Sequence, residues 1–168
     1  ARLRVLLAML QESSGDPTLI AKFEREIVEM DALVGELLAE ARISAGAISR
    51  RELDVSDIVQ ECAERLGVTL TDTVPNAVLH GDPTLVSRAV TLLLDNAQKH
   101  GGGSIRVRVE PDGDELRLLV EDDGPGFEPA DIPQLFDAFA RGRGADADEH
   151  RGVGLGLYLV RRIAEAHG

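Results

Sequence analysis

The chain has 168 residues, a formal net charge of −12, 43% apolar residues and only 3% aromatics. That length suits one compact domain plus an appended helical element, with a core built from Leu, Val, Ile and Ala. Such acidity argues against holding a nucleic-acid backbone or an anionic membrane by bulk charge, and an anionic ligand would need a metal ion and a few local cations.

Residues 1–12 carry Leu3, Leu6 and Leu10 at helical spacing. Ser13 to Pro17 reads as a turn, with Asp16 placed to cap a helix that has Pro17 at its first position. From there a long helix is predicted to about Ser44. Ile20, Phe23, Ile27, Met30, Val34, Leu37 and Ala41 follow one another at alternating steps of three and four, a heptad seam. Leu33 and Leu38 widen the stripe, which suits a bundle better than a two-stranded zipper. Two antiparallel helices cannot bury such a stripe alone. Dimerisation into a four-helix bundle would do so, and so would an intrachain hairpin packed on the next domain.

After Gly46 the pattern becomes mixed. A short strand is predicted at 51–55, a helix at 56–66, and extended segments near 68–72 and 77–80. The single cysteine, Cys62, excludes an intrachain disulfide and fits a reducing compartment and a small buried role. Asp82 and Pro83 open a second helix that reaches His100. Ile105, Val107 and Val109 alternate, as do Leu116, Leu118 and Val120, and Pro111 to Asp114 joins them into a β-hairpin. Residues 128–151 read as a long mobile loop. A last helix is predicted at 155–167. No run approaches the ~20 apolar residues of a membrane span and no signal peptide is visible. The segment therefore reads as soluble, with room for an anchor upstream.

Three clusters carry chemistry. Asn96, Lys99 and His100 share one helix face, where an amide oxygen, an ammonium and an imidazole could hold a metal and an anion. Lys99 and His100 could equally just complement the end of a helix dipole. Asp122-Asp123-Gly124-Pro125-Gly126-Phe127 ends a strand. There Asp122 could accept from an exocyclic amine such as adenine's, and guanine's carbonyl oxygen would be disfavoured. The same residues are also plain turn chemistry. Gly152-Val153-Gly154-Leu155-Gly156-Leu157 opens the last helix, and free backbone N–H groups there suit phosphate. It is neither a dinucleotide fingerprint, since Leu157 stands where a glycine is needed, nor a Walker A loop.

In this order and spacing the clusters resemble the Bergerat-type ATPase and kinase superfamily, and within it the sensor histidine kinases of bacterial two-component systems. Leu92 to His100 resembles the N box, Asp122 to Phe127 the first glycine box, Phe136 to Phe139 the F box and Gly152 to Leu157 the second glycine box. Met30 to Gly46 is similar to the end of the second dimerisation helix. The resemblance implies an α+β fold: a two-layer α/β sandwich over residues 51–168. An antiparallel helical hairpin at 1–46 would precede it and dimerise into a four-helix bundle.

The resemblance also implies roles. Asn96 would coordinate the Mg²⁺ that bridges the phosphates of ATP, Lys99 would contact phosphate, and His100 would lie near ribose or phosphate. Asp122 would bind the adenine amine, with Gly124 and Gly126 shaping its pocket. Residues 128–151 would form an ATP lid anchored by Phe136 and Phe139, with Arg141 and Arg143 as phosphate contacts. Gly152, Val153, Gly154, Leu155, Gly156 and Leu157 would hinge that lid and cradle phosphate. The implied reaction is ATP-dependent phosphorylation of a histidine, followed by transfer to an aspartate of a response-regulator receiver domain. The implied partners are a second copy of the chain, that receiver domain and ATP or ADP, with no nucleic acid and a membrane only through upstream segments. The implied place is the cytoplasmic portion of a bacterial inner-membrane receptor.

Three departures qualify the match. Leu92 stands where the family has its first N-box asparagine, and where related ATP hydrolases such as gyrases and chaperone ATPases carry a glutamate base. Leucine cannot activate water, which favours a kinase over a hydrolase. His80, His100, His150 and His167 fit no phospho-acceptor motif, so the acceptor is expected just before Ala1. The family's last helix is followed by two further strands, and a chain ending at Gly168 is expected to leave a sheet edge uncovered. Two rivals stand beside the kinase reading: an ATP-hydrolysing relative, and a dimerisation module whose nucleotide site has decayed.

Overall fold

The computed structural model describes residues 17–70, 77–101, 103–113, 115–140 and 154–168. The chain divides into two units, one ending at Leu38 and one starting at Ala39. Helix α1, Pro17–Ser44, begins in the first unit and ends in the second. Pro17 opens it, as its fixed φ favours. In the first unit the seam residues Phe23, Met30, Val34 and Leu37 are between 47% and 61% exposed. The expected helix at 1–12 and its turn lie outside the described residues. No helix among the described residues is long and apolar enough to cross a membrane.

The second unit is α+β. Strand β1, Arg51–Asp54, runs antiparallel to β2, Val78–Gly81, with Arg51 opposite Gly81. Strands β3, Arg106–Asp112, and β4, Glu115–Glu121, form the expected hairpin, with Arg106 opposite Glu121. Of the extended stretch expected at 68–72, Leu70 makes a parallel bridge to Ile105. Three helices cover these strands: α2, Val55–Leu66, α3, Pro83–His100, and α4, Gly156–His167. Within the loop expected at 128–151, Ile132–Gln134 forms one 3₁₀ turn.

Helix α3 is the axis of the unit because it is apolar on two opposite faces. Val90, Leu94 and Ala97 sit one turn apart and bury against Val59, Cys62, Ile105, Val107 and Val109. This is the helix-on-sheet layer. Leu85, Ala89 and Leu92 make the other stripe and pack with Leu159 and Ile163 of α4 and with Ala39 and Ile43 from the last turns of α1. Both ends of α3 are set by local chemistry. Asp82 caps the first turn through Thr84 N–H and Leu85 N–H, Pro83 stands at the first position, and Gly101 N–H closes the last turn on Ala97 O.

Asp82 is 1% exposed. Burial pushes its carboxyl up, but donors from Ser49, Leu85 and Thr84 and the Arg42 guanidinium outweigh burial and hold it below the usual carboxylate range. A depressed folded-state value contributes stability above the unfolded value of about 3.9, and that stability is lost as pH falls through the folded value. The gap in urea midpoint between the wild type and Asp82→Asn should therefore be constant from neutral pH to about pH 5 and close below about pH 4. A gap that stays constant into acid would show that the charge contributes nothing.

Candidate functional site

Asp122 follows directly on β4, where the strand ends and the backbone is released from the ladder. Its Oδ1 accepts the N–H of Gly124 at 2.9 Å, an Asx-type turn that fixes the carboxylate. The strand end is also pressed against the end of α3. A Cβ on Gly101 would stand 2.5 Å from Cβ of Asp122, and one on Gly124 would stand 2.5 Å from His100 O and 2.9 Å from Gly101 Cα. Glycine at both positions is what lets the two chain ends touch.

The neighbouring carboxylate is occupied differently. Asp123 accepts from Ser104 Oγ at 2.6 Å and Arg106 Nη2 at 3.1 Å. The Ser104 hydroxyl, and then the Arg106 charge, hold its carboxyl below the usual range. Asp123 thus braces the hairpin, whereas Asp122 makes no ion pair among the described residues and is exposed.

Asn96 is half-buried and lies one turn beyond Leu92, on the α3 side that faces α4. Lys99 is exposed and pairs with Asp95 at 2.7 Å, one turn back. The sequence reading gave Lys99 no protein partner, although the i, i+4 spacing of Asp95 and Lys99 was the signal for one. His100 is exposed and lends its carbonyl to the close approach with Gly124.

Helix α4 starts against the same helix α3. A Cβ built on Gly156 would stand 3.5 Å from Leu92 Cδ2. Leu155, at its N-cap, offers no side-chain oxygen, so the first N–H groups of α4 have no side-chain cap. Gly154 has φ +76°, and a Cβ there would meet Ala140 O at 2.5 Å. Its carbonyl accepts Phe139 N–H at 2.9 Å, and Phe139 itself has φ +65°. The chain on either side of residues 141–153 is thereby joined at one point. Phe136 and Phe139 were expected to anchor this segment with their rings, yet they are 38% and 67% exposed. The backbone bond, not ring burial, makes the junction.

The structure thus brings Asp122, Gly124, His100 and Gly101 together at one end of α3, and Leu92, Leu155 and Gly156 together two turns back, with Asn96 between. Leu157 lies in the first turn of α4, and Gly126, with φ +71°, follows the Asp122 turn. Arg141, Arg143, Gly152 and Val153 lie outside the described residues. Gly101 was not picked out from the sequence, because a glycine after a helix looks like a stop and nothing local reveals a contact 21 positions on.

Comparison with known proteins agrees with this arrangement. The family described as histidine kinase-, DNA gyrase B- and HSP90-like ATPase matches residues 81–168, more than half of the chain. The sensor histidine kinase CpxA of Escherichia coli K12 is 30% identical over 176 residues, covering 99% of this chain and 38% of CpxA. The chain therefore spans well under half the length of that relative. The solved mycobacterial sensor histidine kinase MprB is 28% identical with a TM-score of 0.61, over 71% of this chain and 80% of that one. The Acinetobacter baumannii histidine kinase AdeS, at 19% identity, shares the fold with a TM-score of 0.72 over 98% of this chain and 84% of its own. The chain belongs to the histidine kinase-, DNA gyrase B- and HSP90-like ATPase family, and its relatives there are sensor histidine kinases.

Proposed function

We propose that this chain is the Mg-ATP-binding kinase core of a two-component sensor, and that it phosphorylates a histidine for transfer to a response-regulator aspartate. The observation that carries the reading is the fixed Asp122 carboxylate at the end of the helix that also bears Asn96 and meets the glycine turn of α4. An exposed carboxylate held by Gly124 N–H can accept the adenine amine through its second oxygen. The uncapped start of α4 suits phosphate oxygens. Lys99, carried on Asp95, can turn to a phosphate on the same face.

Among the described residues no three His, Cys, Asp or Glu side chains group as a metal set. The neutral Asn96 amide oxygen nevertheless suits Mg²⁺, which takes few protein ligands and completes its shell from phosphates and water. When bound, Mg²⁺ would neutralise charge on the β- and γ-phosphates. A neutral imidazole nitrogen would attack the γ-phosphorus in line, the bond to the β–γ bridging oxygen would break, ADP would leave, and the ring N–H proton would pass to solvent. The chain contributes positioning and charge more than covalent chemistry. Leu92 supports transfer over hydrolysis, because it packs beside the second apolar cluster and offers no base to a water. The exposed seam on α1 supports a second copy as partner, through the four-helix bundle.

The test is direct. In calorimetric titrations with Mg²⁺ present, the chain is expected to bind ATP at least about tenfold more tightly than GTP, the difference one charge-assisted hydrogen bond supplies. Equal affinity for the two nucleotides, or for neither, would count against the reading.

A further inference from the structure

Asp82 does two jobs with its two oxygens. Oδ1 caps α3, accepting from Thr84 N at 3.0 Å and Leu85 N at 3.2 Å. Oδ2 faces the other way and accepts from Arg42 Nη2 at 2.8 Å and Ser49 N at 2.9 Å. A cap needs only the first pair. The second pair fastens the last turns of α1, and the link after it, onto the helix that carries Asn96.

The surroundings reinforce that fastening. The Asp82 N–H donates to His167 Nε2 at 2.9 Å, and His167 Nδ1 lies 2.7 Å from Ile163 O. Those contacts assign the ring proton to Nδ1. Glu40 pairs with Arg162 at 3.4 Å, and Arg50 Nη2 donates to Ala166 O at 2.6 Å. The link itself has no slack. Ala45, Gly46 and Ala47 donate back to Ala41, Ile43 and Arg42, Ser49 is held by Asp82, and Ile48 packs on the second apolar cluster.

Helix α1 contains no histidine. The histidine to be phosphorylated is therefore not on the segment fastened here, and the nucleotide-bearing unit must be free to meet it elsewhere. Residues 45–50, once released and extended, would span roughly 20 Å. Held as they are, they allow almost none of that reach. The apolar contacts of Ala39 and Ile43 are non-directional, whereas the Arg42–Asp82 pair is specific and half open to water on its Arg42 side, so it is the contact whose loss lets the rest slide.

We propose that Asp82 is a positioning residue that restrains phosphoryl transfer: its Oδ2, holding Arg42 and Ser49 N–H, keeps the end of α1 docked on α3 until the pair parts. The inference rests on the histidine-kinase reading. It is tested in the full-length protein by the initial rate of phosphohistidine formation at saturating Mg-ATP, the KM for ATP, and a thermal melt of each variant. Arg42→Met keeps the apolar stem and removes the charge. Asp82→Asn keeps an acceptor for the α3 cap and turns an amide NH₂ toward two donors.

Both variants are expected to raise the saturated rate at least threefold with KM for ATP within twofold of wild type. The double variant should gain no more than either single, because the two act on one contact. Arg42→Lys should return the rate toward wild type. A folded Arg42→Met protein with an unchanged or lower rate, or with a shifted KM, overturns the proposal. If Asp82→Asn does not fold, Arg42→Met with its Lys control decides alone. A wild type that binds ATP yet forms no phosphohistidine removes the kinase reading itself, and this inference with it.

Discussion

Asp122→Asn is expected to weaken ATP binding about 10- to 100-fold without lowering the melting temperature. The side chain is exposed and buries nothing, and asparagine can still accept Gly124 N–H through its own Oδ1. What changes is the second position, where a charged acceptor becomes an NH₂ donor facing the donors of the adenine amine. A hydrogen bond to a charged group contributes about 1.5–3 kcal/mol, and each 1.4 kcal/mol is tenfold in affinity. GTP affinity should change much less, because no favourable contact is lost there. Titration of both nucleotides against the wild type and the variant settles the matter. Unchanged ATP affinity in a folded variant would remove Asp122 from the adenine pocket, whatever the family resemblance.

Local signals were legible in the sequence wherever chemistry acts between near neighbours. Asp82-Pro83 marked the first turn of α3 because cap and fixed φ act within three residues. Alternation marked β3 and β4, and their turn marked the pairing of Arg106 with Glu121. The clusters at Asn96, Asp122 and Gly154 were legible as candidates for the same reason. Partnership at a distance was not. Nothing in the run around Arg42 announces that it meets Asp82 forty positions later, and nothing at Gly101 announces Asp122. Periodicity says which face of a helix is apolar, not what covers it. Phe136 and Phe139 show the opposite failure. Two aromatics in a polar stretch suggest burial, yet the structure makes the junction from backbone N–H and a left-handed glycine while the rings face outward.

The geometry also orders the two functions of α3. Its inner stripe, Val90, Leu94 and Ala97, is committed to the sheet, so that face cannot tolerate polar groups. Its outer stripe runs from the docked end of α1, past Leu85 and Leu92, to Asn96 and the Asp122 turn. One rigid helix thus connects the position of α1's last turns to the position of the candidate nucleotide site, and a shift at either end must be felt at the other.

Asn96→Ala is expected to lower the saturated rate of phosphohistidine formation about 100-fold and to abolish the Mg²⁺-dependent part of ATP affinity. Alanine is the better helix former, so the fold should not suffer. Losing one preorganised group that stabilises charge in the transition state costs about 10²–10³ in rate. The sharper question is which atom of the amide acts, since Asn96 could ligate Mg²⁺ through its oxygen or donate to phosphate through its nitrogen. Asn96→Asp separates the two. A carboxylate keeps an oxygen for the metal but has no donor and repels phosphate. If the oxygen is the working atom, the Asp variant retains a Mg²⁺-dependent gain in affinity that the Ala variant lacks. If the nitrogen is, both variants lose that gain alike, and titrations with and without chelator coincide for each. A wild type whose own titrations coincide would remove the metal from Asn96 altogether.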